Sequence, residues 1–142
     1  MTLNKIKTMA ILNSSISFSS STLLSSNFSI NASTATQIDD NADVQTVTIP
    51  ADQSAVVYGP SLLLNSLRTV YFYAHNPDTN TSGLDVYIQS STSVSASLIA
   101  TLQPSDFMYI PLAANGNGLT VTVVNLNGAN ASKVNVLWGS RS

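Results

Sequence analysis

The residues able to do chemistry in this chain are few and scattered. His75 is the sole histidine, cysteine is absent, and all acidic residues are aspartates. A single imidazole rules out a multi-histidine zinc site, and the lack of cysteine removes thiolate nucleophiles, disulfides and sulfur-ligated metals together. Asp78 follows His75 closely and serine is abundant, so the components of a Ser-His-Asp relay exist. No Gly-x-Ser-x-Gly sequence, however, presents a serine on a nucleophile elbow. Asp52, Asp78, Asp85 and Asp106 are candidate glycosidase carboxylates, but no spacing selects two of them. Asp39, Asn41 and Asp43 alternate like the start of a calcium loop; the sixth position is Val44 rather than glycine, and the twelfth is Pro50 rather than glutamate. No glycine motif suited to cradling phosphate occurs. The chain is expected to be non-enzymatic, without cofactor or metal.

What remains is recognition, and tyrosine is the residue suited to it, with apolar area and a hydroxyl handle. Leu67–His75 is dense in aromatic and β-branched residues and lacks glycine and proline, which predicts a long central strand. Val70, Phe72 and Ala74 share one of its faces; Tyr71, Tyr73 and His75 share the other. Leu84–Ser90 reads as its partner, with Leu84, Val86 and Ile88 opposing Asp85 and Tyr87. Pairing the two in an even register puts both apolar sets on the core side. Tyr71, Tyr73 and Tyr87 are then expected together on the opposite face. Three coverings are open for that face: a second layer or the N-terminal segment of the same chain, a neighbouring subunit, or a ligand such as a sugar.

The elements that position these residues are predicted to be strands throughout. Charged residues make up only 8% of the 142-residue chain and hydrophobic ones 44%, against about 25% charged in typical soluble domains. The surface must be built from Ser, Thr and Asn, which favour turns and edges over helix interiors. Short alternating runs fall at Val44–Ile49, Ala55–Tyr58, Leu67–His75, Leu84–Ser90, Leu98–Leu102, Phe107–Leu112, Leu119–Leu126 and Ser132–Trp138. Turn signals such as Gly59-Pro60, Asn76-Pro77-Asp78, Gln103-Pro104 and Asn127-Gly128 separate them. Ser61–Ser66 is either a further strand or a helical turn. About eight strands at roughly 8–12-residue spacing predict one antiparallel β-sandwich or jelly-roll over residues 44–142.

Residues 1–43 are expected to form an extended, polar N-terminal arm. Two islands within it alternate with period two, Ile16 and Phe18 between serines, then Phe28 and Ile30 between polar residues. They can pair as a hairpin across Ser20–Ser26, dock separately on a neighbouring subunit, or belong to a loosely ordered leader. Such polar segments bury little apolar surface to offset ordering entropy. Phe18, Phe28 and Ile30 are the expected contacts of this arm. The apolar run Met9–Leu12 is shorter than the 7–15 residues of a signal-peptide core, so synthesis and first folding are expected in the cytoplasm. Sequons at Asn13, Asn27, Asn31, Asn80 and Asn130 are read as a by-product of the Asn- and Ser-rich composition. A net charge of −2, with five basic residues spread from Lys5 to Arg141, argues against nucleic-acid and membrane partners.

One resemblance bears on function. A strand like Leu67–Asn76 is followed by a polar loop and a strand like Leu84–Gln89. Next comes Leu102-Gln103-Pro104-Ser105-Asp106-Phe107-Met108-Tyr109-Ile110-Pro111-Leu112, and a final pair ends in Val134–Trp138. In this order the segment resembles small structural proteins of tailed-phage virions. The resemblance implies a virion protein that decorates or cements a capsid, or joins a tail. It would associate with itself and with virion proteins such as the major capsid protein. The alternative expectation is a carbohydrate-binding module or tail-associated attachment protein using Tyr71, Tyr73 and Tyr87.

Overall fold

The computed structural model describes residues 10–21, 28–38, 42–59, 67–90, 95–115 and 118–141. Among the described residues ten strands run in chain order: β1 (Ala10–Ser20), β2 (Phe28–Ile38), β3 (Ala42–Ile49), β4 (Ser54–Tyr58), β5 (Leu67–His75), β6 (Leu84–Ser90), β7 (Ser97–Leu102), β8 (Phe107–Asn115), β9 (Leu119–Asn125) and β10 (Ser132–Arg141). Eight of them match the alternating runs read from the sequence. Ser61–Ser66 and the acidic Asp39–Asn41 stretch lie outside the described residues.

β3 to β10 form two four-stranded antiparallel sheets. The first has the order β3-β10-β5-β8 and the second β4-β9-β6-β7. Their inward faces share one hydrophobic cluster, in which Phe72, Val70, Ile49 and Val134 of the first sheet meet Leu84, Val86, Val121 and Val123 of the second. The arrangement is sandwich-like, and period-two alternation is what makes it possible. Phe72 is fully buried at its centre, and Trp138 closes one side by meeting the Tyr58 ring edge-on at 5.0 Å. Where the count of residues would break the alternation, the pairing shifts: one irregularity falls between Val56 and Tyr58, another between Val86 and Tyr87.

The expected partnership of β5 with β6 is not formed. β5 pairs with β10 and β8, whereas β6 pairs with β9 and β7 in the opposite sheet. Both strands do turn their apolar residues to the core, but from opposite sides of it. Alternation reports only inside against outside, and two facing strands satisfy it as well as two adjacent ones.

Four loops gather at one end of the sheets and are tied by buried amides. Asn125 Nδ2 donates to the carbonyls of Ile49, Pro50 and Asn130, while its Oδ1 accepts from Asn127 N and the Ser132 hydroxyl. Asn76 Nδ2 donates to the Ser82 and Leu102 carbonyls, and Asn80 clamps Lys133 through both backbone groups. The turn at Gln103–Asp106 places Ser105 at φ 77° and is closed by Asp106 N to Gln103 O at 2.8 Å. Proline at the second position and a positive φ at the third are the marks of a type II turn. Each buried carbonyl thus gains a donor that the strands cannot supply.

Replacing Asn125 with alanine should destabilise the protein by about 2–4 kcal/mol, because several buried groups lose partners costing roughly 1–3 kcal/mol each when left unsatisfied. Urea unfolding measures this directly; a loss within error of zero would mean that water replaces the amide without penalty.

Candidate functional site

β1 and β2 pair with each other over eleven residues, from Ala10 opposite Ile38 to Ser20 opposite Phe28. Of the arrangements open to the alternating N-terminal islands, self-pairing into a hairpin is the one observed. Residues directly opposite in an antiparallel pair share a face, so Leu12, Ile16 and Phe18 lie with Thr36, Ala32 and Ile30. Beyond Ile11, opposite Gln37, the other face carries Asn13, Ser15, Ser17 and Ser19 with Ala35, Ser33, Asn31 and Ser29. The hairpin is amphipathic across its thickness, and its 22 strand residues include no charge.

The base of this hairpin docks on the outer face of the first sheet. Ile38 is buried and lies on Gly139 of β10, where a Cβ would come within 2.9 Å of Ile38 Cδ1 and 3.1 Å of Cγ1. Glycine there lets a bulky aliphatic side chain sit directly on the sheet backbone. From this point β1 crosses the sheet. Ala10–Leu12 border β3 and β10 around a cavity of about 110 Å³, and Leu12–Ser15 border β5 and β8 around one of about 330 Å³.

The larger cavity is floored by Tyr73, Tyr109, Phe107 and Leu137. Leu137, Tyr73 and Tyr109 stand in one cross-strand row, and Phe107 follows in the next, opposite His75. Tyr73 stacks on His75 at 6.4 Å between ring centroids and lies 6.1 Å from Phe107. The Tyr109 hydroxyl is buried and has no hydrogen-bond partner among the described residues. Away from this cavity, burial raises the Tyr58 phenol above its usual pKa by disfavouring the charged form.

The residues singled out from sequence divide between three places. Tyr71 and Tyr73 share the outer face of the first sheet as expected, and the chain's own hairpin covers part of it. Tyr87 stands on the outer face of the second sheet, opposite Thr122 and Leu98. The expected three-tyrosine surface is therefore not assembled, because β6 is not a neighbour of β5. Phe18 and Ile30 are cross-strand partners near the hairpin end, 58% and 52% exposed. Phe28 lies opposite Ser20, and its side chain is outside the described residues. Phe107, Tyr109 and Leu137 were not singled out. Their alternation with Met108 and Ile110 marks an outward face, but only the β5–β8 pairing brings that face to Tyr73.

Two outcomes follow from this geometry. Gly139→Val should lift Ile38 from the sheet at a cost of about 1–3 kcal/mol, typical of overpacking. Limited proteolysis within residues 10–38 should then run roughly tenfold faster, the factor that 1.4 kcal/mol sets, while the sheets still melt cooperatively; an unchanged rate would place the hairpin base elsewhere. Tyr109→Phe should leave stability unchanged or raise it by about 1 kcal/mol, since an unpaired buried hydroxyl is lost. A clear loss in urea unfolding would show that the hydroxyl has a partner.

No protein-family model matches the chain, and no curated protein sequence does so. Solved structures similar to it in three dimensions include the following two. One is the mitogen derived from Yersinia pseudotuberculosis, at 13% identity and a TM-score of 0.51, covering 70% of this chain and 85% of that one. The other is a protein of Bacillus endospore appendages, a family of disulfide-linked pili, at 14% identity and a TM-score of 0.43, covering 72% and 88%. The likeness to the mitogen is one of fold.

Proposed function

We propose that this chain is a non-enzymatic structural protein that associates with copies of itself, and that it serves in a virion as a capsid decoration or cement protein. The observation that carries the self-association is the hairpin. Its apolar face is buried at the base against the first sheet, yet continues beyond it into exposed Ile30 and Phe18. Exposed apolar residues that cluster on one face of an ordered element favour an interface over solvent. The virion setting rests on the resemblance of Leu67–Trp138 to tailed-phage structural proteins.

The finer fold reading is a jelly-roll. Apart from the adjacent pair β6 and β7, successive strands change sheet, giving the orders β3-β10-β5-β8 and β4-β9-β6-β7, which supports eight strands wound as two Greek keys. Such a body presents two broad outer faces and short edges. It suits a building block whose partners attach by added elements such as the hairpin.

Light scattering after size-exclusion chromatography should give a mass that rises with concentration in multiples of the 15.0 kDa chain. A single-chain mass at every concentration would overturn the self-association. Antibodies raised against the chain should label purified virus particles from the producing culture in immunogold electron microscopy. Label confined to particle-free material would overturn the virion half of the reading.

A further inference from the structure

We infer that the distal half of the hairpin seats its apolar face on the outer face of the second sheet of another copy, so that each chain gives a hairpin to one neighbour and receives one from the next. The inference deepens the self-association reading above and rests on it.

The first support is continuity. The hairpin face that is buried at its base, through Ile38 and Thr36, is the same face that carries Ile16 opposite Ala32 and Phe18 opposite Ile30. One surface is thus half used by its own chain. The second support lies on the receiving side. Across the second sheet, Val56, Thr122, Tyr87 and Leu98 stand in one cross-strand row, pointing away from the core. Val56 and Leu98 at its ends are 61% and 51% exposed. The third is charge. The hairpin strands carry none, the row carries none, and the nearby Asp85 carboxylate accepts a 2.6 Å hydrogen bond from the Thr101 hydroxyl. A neutral surface meeting a neutral row avoids burying an unpaired charge.

The choice of sheet follows from occupancy. The outer face of the first sheet already holds the chain's own hairpin base along Gly139, Leu137 and Tyr73, whereas among the described residues no element lies over the row on the second sheet. The two surfaces are different patches of one molecule, so the contact is heterologous and propagates into a ring or an open array. Two strand pairs make a contact well below the ~800 Å² per partner of a stand-alone complex. Association is accordingly concentration-dependent, and an array of many such contacts holds more firmly than any single one.

The absence of cysteine makes the test free of background. Ala32→Cys and Thr122→Cys lie within the proposed contact and leave its large apolar residues in place. The two full-length variants are mixed at a concentration where light scattering shows association, then treated with a short bis-maleimide. The mixed dimer is expected at least fivefold above either variant alone, and Phe18→Ser with Ile30→Ser in the Ala32→Cys chain should abolish it. Predominant Ala32→Cys homodimers would overturn the inference in favour of hairpin-to-hairpin contact. Preferential linkage to Thr46→Cys on the first sheet would overturn it in favour of exchanged hairpins. Association with no mixed dimer would overturn it while leaving self-association standing. A single-chain mass throughout would remove both.

Discussion

Everything in this molecule depends on one constraint: two sheets must close a single core using strands that offer it only every second residue. Phe72 at the centre is surrounded by β-branched residues from both sheets, each held inward by its neighbours' alternation. Burying such a side chain contributes roughly 1.5–3 kcal/mol, but only while every strand keeps its phase. The irregularities at Val56/Tyr58 and Val86/Tyr87 preserve it where the residue count does not. They also aim Tyr58 at Trp138 and set Tyr87 opposite Leu98. The core thereby dictates what appears on the two outer faces.

A chain so poor in charge needs another means of holding its loops, and asparagine supplies it. Asn125 and Asn76 are buried, and each binds carbonyls from segments far apart in sequence. An amide offers two donors and an acceptor with no charge to desolvate, so it can be buried at a loop junction where an ion pair would be costly. Asn80, one of the sequon asparagines, is engaged in the same way with Lys133. The end of the sandwich where four loops meet is therefore rigidly connected, and the hairpin enters from the other end, where β3 begins.

The outer face of the first sheet shows how packing and function meet. Gly139 admits Ile38, which anchors the hairpin; β1 then passes over Tyr73, Tyr109 and Phe107 and leaves a cavity above them. The covering is incomplete because the hairpin beyond its base is mostly Ser, Thr and Asn, whose short side chains do not fill the space over three aromatic rings. Further along the same hairpin face, Phe18 and Ile30 remain more than half exposed.

The sequence by itself determined where the strands lie and which of their sides face inward. Leu67–His75 is a strand with Phe72 in the core and Tyr73 outside, as its alternation and flanking turn residues require. Asn76-Pro77 and Gln103-Pro104 end strands where predicted, since backbone preference and turn chemistry act between near neighbours. The alternation that puts Phe18 and Ile30 on one face of the hairpin was legible for the same local reason. Only the tertiary structure decided which strands are neighbours. It placed β6 across the core from β5, parting Tyr87 from Tyr73, and brought Phe107, Tyr109 and Leu137 to Tyr73 instead. Alternation carries one bit per residue, inside or outside, while sheet membership depends on pairings between segments tens of residues apart. Those pairings are selected by the packing of the whole core, which no single stretch encodes.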